Sequence, residues 1–206
     1  IWNRNFLGSQ SHVLLVYNDK LKSLVEYVQQ LEMESNGKSH SNENETLNYP
    51  TSPIIWGGVG TNGQHSYHQL LHQGTNPFSA NFYLVADQGE ELLEHQEWLI
   101  ANALAQAKVL KHGNKVKGQS LNYKSLIGNH PSSTILINKI TPEIIGALLA
   151  VHEHKVFCEG ALWHINSFDQ WGVEDGKNIA QEIHSKIVTS RDQSRRSFYD
   201  SYSDFI

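Results

Sequence analysis

The sequence predicts an α/β protein built on a doubly wound, mainly parallel sheet flanked by helices. Three observations carry this reading. Four short apolar runs, at 12–17, 54–60, 81–87 and 133–138, have the length and turn-forming borders of buried strands. Segments with apolar residues three and four apart follow them, which is the period of a helix with one face inward. The alternation shows no repeat of fixed period, as expected for a parallel sheet covered on both faces.

Taken in order, His12-Val13-Leu14-Leu15-Val16-Tyr17 is closed by Asn18-Asp19, the pattern of a buried strand running into a turn. Asp19 can cap a helix over about 20–33, in which Leu21, Leu24, Val25, Val28 and Leu31 share one face. Gln30 and Glu34, four residues apart, leave the same side near the end of that helix. Ser35-Asn36-Gly37 then opens a polar surface loop that runs to Asn48.

Pro53 introduces the second strand, which ends in glycines and leads through Thr61-Asn62-Gly63-Gln64-His65 to a helix carrying Tyr67, Leu70 and Leu71. A glycine turn at a helix start exposes backbone N–H groups, but the spacing fits neither the dinucleotide nor the P-loop fingerprint, so no nucleotide site is expected. The third strand precedes a long helix over about 90–111, with Leu92, Leu93, Trp98, Leu99, Ala103, Leu104 and Ala107 on its buried side and Gly113 ending it. After the fourth strand, Thr141-Pro142-Glu143 is a helix start with proline in the first turn, and Ile144, Ile145, Leu148, Leu149 and Val151 follow.

Ala161-Leu162-Trp163 is the last hydrophobic segment before Phe168-Asp169-Gln170-Trp171-Gly172-Val173-Glu174-Asp175-Gly176-Lys177. That stretch packs two aromatics besides its amide, acids and lysine, and Gly172 and Gly176 are expected to shape turns. Ile179, Ile183 and Ile187 predict a final helix; the tail from Ser190 is polar, with Phe198, Tyr199 and Tyr202 tucking back. One lobe is expected over 1–190, with a tail over 191–206 and no second domain.

Composition narrows the function classes. With 206 residues, 39% hydrophobic content, five Trp and eight Tyr, the chain has the means to build a core and is not of a disordered type. A net charge of −5 gives no electrostatic reason to expect nucleic acid as a partner. No apolar run has the length of a membrane span, and Cys158, the single cysteine, forms no internal disulfide, so the expected place is the cytoplasm. Ile1-Trp2-Asn3-Arg4-Asn5-Phe6 reads like the middle of a helix, and the chain is expected to begin inside a larger protein.

By residue type alone, Glu34 is a solvated carboxylate at a helix end, His65 a satisfied histidine at a helix start and Lys177 a surface lysine. His65, His68 and His72 share a helical face, but no carboxylate or cysteine joins them at ligand spacing, so no metal is expected. Cys158, among Val156 and Phe157, is expected to be a small buried hydrophobe. Asn44-Glu45-Thr46 matches the glycosylation pattern without a secretory context.

Three blocks change these weights. Gly160-Ala161-Leu162-Trp163, four residues, then 168–174, two residues and Lys177 resemble the C-terminal signature of the glucose-6-phosphate isomerases. Gln29-Gln30-Leu31-Glu32-Met33-Glu34-Ser35-Asn36-Gly37-Lys38 is similar to that family's glutamine and glutamate segment. Gly60-Thr61-Asn62-Gly63-Gln64-His65, with Gln69-Leu70-Leu71-His72-Gln73-Gly74-Thr75, is similar to its histidine segment. With Val151-His152-Glu153-His154-Lys155-Val156-Phe157, the likeness covers nearly the whole chain.

The resemblance implies a sugar-isomerase-type lobe, with its ligand pocket at the strand C-terminal edge. It implies the reversible isomerisation of glucose 6-phosphate and fructose 6-phosphate, in glycolysis and gluconeogenesis. Glu34 would move the proton between C1 and C2 through an enediolate, His65 and Lys177 would serve ring opening, and Gln30 and Gln170 would contact the substrate. No cofactor is implied. A homodimer is implied in which His65 reaches the partner's site. Gly58 stands where the family more often has glutamate, and an effect on packing or local charge is expected. The family is longer: its N-terminal region, with the serine and threonine loop that holds the phosphate and an arginine that stabilises the enediolate, would be missing, and this fragment alone is expected to be inactive. The alternative is a non-catalytic sugar-phosphate-binding or signalling module on the same fold.

Overall fold

The computed structural model describes residues 1–87, 93–114 and 122–193, the last four of these by backbone alone. The chain divides into two compact units, Ile1–Ser167 and Phe168–Ile206.

The first unit is built on four parallel strands: β1 (Ser11–Val16), β2 (Ile54–Val59), β3 (Phe78–Asp87) and β4 (Ser132–Lys139). Their spatial order is β2-β1-β3-β4. Five helices belong to this unit: α1 (Lys22–Asn36), α2 (Gly60–Gln64), α3 (His68–Gln73), α4 (Leu93–His112) and α5 (Pro142–Leu162). A π-helical turn at Trp2–Phe6 precedes β1, and a 3-10 turn at Asp19–Leu21 leads into α1. Asn18 rather than Asp19 caps that turn, its side chain accepting from the Lys20 N–H at 2.9 Å.

The period of two in β1 feeds two cores at once. Val13, Leu15 and Tyr17 pack with Ala80, Phe82 and Leu84 of β3 against Leu71 of α3 and Ala103 and Leu110 of α4. Leu14 and Val16 pack with Tyr83, Val85 and Ile137 against Leu24, Val25 and Val28 of α1, with Ile145, Leu148 and Leu149 of α5 beside them. The chain leaves β1 toward one side and β3 toward the other, so right-handed crossovers put α1 and α4 on opposite faces, as the doubly wound prediction requires.

Several elements differ from the sequence reading. Val151 and Ala161-Leu162 belong to one helix, α5, whose apolar residues fall on several sides while His152 and Glu159 are buried; Ile144, Val151, Phe157 and Leu162 are exposed on it, and so is Cys158, expected to be buried. On α4, Leu93, Trp98 and Leu104 are exposed whereas Gln96 is buried. Apolar residues on several sides of a helix do not report which side faces the sheet.

In the second unit, α6 (Trp171–Gln193) begins inside the aromatic stretch, so Gly172 and Gly176 are helical residues and not turn formers. The Val173 N–H donates to the Gln170 carbonyl at 3.0 Å at its start. The expected helix start at Glu90, Leu92, and the tail residues Phe198, Tyr199 and Tyr202 lie outside the described residues.

Candidate active site

The last two turns of α1 carry two faces with different work. Val28, Glu32 and Asn36 follow one another at four-residue spacing on the buried side, while Gln30 and Glu34 face outward. Gln30 Nε2 donates to Glu34 Oε2 at 3.0 Å, so the two residues expected to touch substrate are already in contact. Lys38 closes the helix end, its ammonium donating to the carbonyls of Glu34 at 2.9 Å and Ser35 at 2.8 Å. A cation at these unpaired carbonyls offsets the negative end of the helix dipole, where a carboxylate such as Glu34 is otherwise unfavourable.

The buried side is polar where it meets α5. Lys155 pairs with Glu32 and, at 3.4 Å, with Glu159. Burial raises the Glu32 carboxyl above its ordinary range, and the Lys155 charge opposes this. Asn36 Nδ2 donates to the Val156 carbonyl at 3.0 Å, and Ser167 Oγ donates to Asn36 Oδ1 at 2.6 Å. A cavity of about 190 Å3 lies at this entry edge of the sheet, lined by His12, Glu32, Ser79, Asn81, Lys155 and Glu159 among others. His12 Nδ1 is hydrogen-bonded to Ser79 Oγ at 2.7 Å, and burial, with Lys155 and His152 nearby, pushes its imidazole down to about 3.

His65 stands elsewhere. It caps α2, beyond the exit of β2, with its N–H donating to the Asn62 carbonyl at 3.1 Å and its ring exposed. Gly60 and Gly63 give α2 its close seat: a methyl at Gly60 would overlap the Tyr17 ring, and one at Gly63 would lie 2.6 Å from the Tyr67 hydroxyl. The hydroxyl of Tyr67 is buried around this turn without a hydrogen-bonding partner among the described residues, and the Tyr17 hydroxyl is buried beside Gln64. A second cavity, of about 240 Å3, opens there between Tyr17, Asn18, Asp19, Thr61 and His95. A Cβ at Gly58 would lie 3.8 Å from the Tyr67 hydroxyl, an ordinary contact, so the β2 backbone there has room for the first atom of a side chain.

Glu34 and His65 therefore occupy opposite edges of the sheet. The end of α1 is fastened to the entry of β2, where the Ile55 N–H meets Met33 Sδ at 3.3 Å and the Ser52 N–H donates to the Asn36 carbonyl at 3.3 Å. His65 follows the exit of the same strand, whose six residues span roughly 17 Å at the usual rise. The strand C-terminal edge, where one ligand pocket is expected, is the edge next to His65, and Glu34 lies at the opposite edge.

Gln170 and Lys177 belong to the second unit. Gln170 immediately precedes α6 and Lys177 lies in its second turn, both with exposed side chains. His68 and His72 are bound to Gln106 Oε1, at 3.1 Å and 2.6 Å, and not to each other. Among the described residues, no group of three or more His, Cys, Asp or Glu side chains is arranged to hold a metal ion, and no helix is long and apolar enough to cross a membrane.

The sequence profile of the phosphoglucose isomerase family matches residues 1–205. The chain belongs to that family. Curated relatives include a glucose-6-phosphate isomerase of Shewanella putrefaciens, 43% identical over 94% of this chain, and one of Pseudomonas putida, 41% identical over 94%. The chain spans 38% of the length of each. Among solved structures, a glucose-6-phosphate isomerase from Chlamydia trachomatis superposes with a TM-score of 0.81 at 40% identity, covering 89% of this chain and 36% of that one. A hypothetical protein from Thermus thermophilus, 22% identical, shares the fold with a TM-score of 0.64, covering 84% of this chain and 41% of its own.

The resemblance gives roles to the outward residues Gln30, Glu34 and His65; Glu32, Asn36 and Lys155 stand in the same family blocks without a role. Residue type does not mark Glu32, Asn36, Lys155 and Ser167 as buried, since polar side chains mostly face solvent. The signal was present: continuing the apolar face of α1 from Val28 in steps of four leads to Glu32 and Asn36.

Proposed function

We propose that this chain supplies the C-terminal part of a glucose-6-phosphate isomerase site, with Glu34 as the base. Its carboxylate takes the proton from C2 of the open-chain aldose, the hydroxyl proton passes between O2 and O1, and Glu34 returns the carbon-bound proton to C1 to give the ketose. No cofactor enters this scheme. The observation that carries it is the placement of Glu34: an exposed carboxylate at a fixed helix end, already hydrogen-bonded by Gln30. Gln30 and Gln170 hold sugar hydroxyls, and His65 and Lys177 open the ring by exchanging protons with the ring oxygen and the anomeric hydroxyl.

We further propose that His65 serves the site of a second copy. The separation of roughly 17 Å along β2 supports this, because one six-carbon substrate does not bridge it. A coupled assay of fructose 6-phosphate to glucose 6-phosphate conversion, run on this chain and on a form joined behind the preceding region of a curated relative, tests the activity. Turnover is expected in the longer form only. Absence from both, with sugar-phosphate binding retained, overturns the enzyme reading in favour of a binding module.

A further inference from the structure

We propose that Asn36 and Ser167 are positioning residues for the Glu34 carboxylate; this rests on the reading of Glu34 as the proton-transferring base. Asn36 has no exposed surface, and it ties four places together. Its amide donates to the Val156 carbonyl of α5 and accepts from Ser167 Oγ, while its backbone carbonyl accepts from the N–H groups of Lys38 at 2.9 Å and Ser52 at 3.3 Å.

An apolar side chain could fill this space, but it would not choose one rotation of the helix. The two amide bonds do, because a buried donor and acceptor each need a partner in a set direction. At about 100° per residue, Glu34 lies roughly 200° round the helix from Asn36, so the pin that turns Asn36 inward turns Glu34 outward. Glu32, held by Lys155 one turn earlier, prevents the helix from pivoting about that pin.

Gly160 of α5 belongs to the same device. A methyl there would overlap Ser167 Oγ and approach Asn36 Oδ1 to 3.3 Å. Glycine costs a helix stability relative to alanine, and at this position it keeps the space that the hydroxyl occupies.

The test is made in the active, extended form with kcat and KM measured well below each variant's melting transition. Ser167→Ala keeps the Asn36 to Val156 bond and removes the second; kcat is expected to fall about tenfold or more with KM within about twofold, as small misplacements of a reacting group do. Gly160→Ala should lose kcat to a similar extent. The double variant should lose no more than Ser167→Ala, since both changes act through one bond. Ile137→Val, a core change in β4, should leave kcat unaltered. If Ser167→Ala keeps kcat within about twofold while Glu34→Gln abolishes turnover, the positioning role is overturned and the base assignment stands. Full turnover in Glu34→Gln removes the base assignment itself, and the positioning role with it.

Discussion

The ammonium of Lys155, on α5, pairs with the carboxylate of Glu32, a side chain of α1 only 1% exposed. Removing one partner of a fully buried ion pair costs about 3–5 kcal/mol, whereas replacing both by apolar groups is often close to neutral; here the Lys155 side chain is 39% exposed, so only part of that cost applies. Glu32 Oε1 has no hydrogen-bonding partner among the described residues, which sharpens the penalty. Lys155→Met should therefore destabilise the chain in urea unfolding. The double variant Lys155→Met, Glu32→Leu should recover the part of that loss that belongs to Glu32, while Glu159, 3.4 Å from the ammonium, keeps its own share; equal stability of the two would show that the Lys155–Glu32 pair is not coupled.

A second expectation concerns pH. His152 is buried on α5 with its Nε2 3.0 Å from the Tyr83 hydroxyl, and burial, aided by Lys155, pushes it down to about 4. The folded chain thus refuses a proton that the unfolded chain accepts near 6.5, so the contribution is complete above about 6.5 and is lost as pH falls from there toward about 4. His152→Gln, which keeps a polar partner for Tyr83, should make the urea midpoint fall less steeply over that window, with His12 keeping its own contribution. Parallel pH curves for the two proteins would refute the assignment.

Gly60→Ala should reverse the usual sign of a glycine to alanine change in a helix. Elsewhere alanine gains about 0.5–1 kcal/mol. Here the new methyl meets the Tyr17 ring, and overpacking of this kind costs about 1–3 kcal/mol. A lower melting temperature for Gly60→Ala is the expected outcome, and a higher one would mean that α2 can shift away from Tyr17.

Gln30→Met removes the donor to Glu34 on the exposed face of α1. Its unfolding free energy should stay within about 0.5 kcal/mol of the parent, as for most surface changes. In the extended form, kcat/KM should nevertheless fall on the order of tenfold, the worth of a hydrogen bond to a charged group. Loss of stability without loss of turnover would place Gln30 among the structural residues.

Much of the fold was legible because strands such as 12–17 and 81–87 are buried on both sides and need no partner to be recognised. The side of α4 was not, since Trp98 and Leu104 give no hint that they face outward while Gln96 faces in. Gly172 and Gly176 misled because glycine permits a turn without requiring one, and in α6 none of the described residues packs near enough to either to demand it. The family blocks single out the outward residues Gln30, Glu34 and His65 of the proposed site. Its inner support was not legible, because Asn36 looks like a turn former beside Gly37 and becomes a core residue only once α5 is laid over it.

The placement of Glu34 and His65 at the two ends of β2 also has a kinetic meaning. A hydrogen-bonded strand in the middle of its helices does not shorten, so under the shared-site proposal no rearrangement within a single copy completes the machinery. Dilution should then silence the extended form before it unfolds, with the rate per copy falling below the association midpoint while the circular dichroism spectrum stays unchanged.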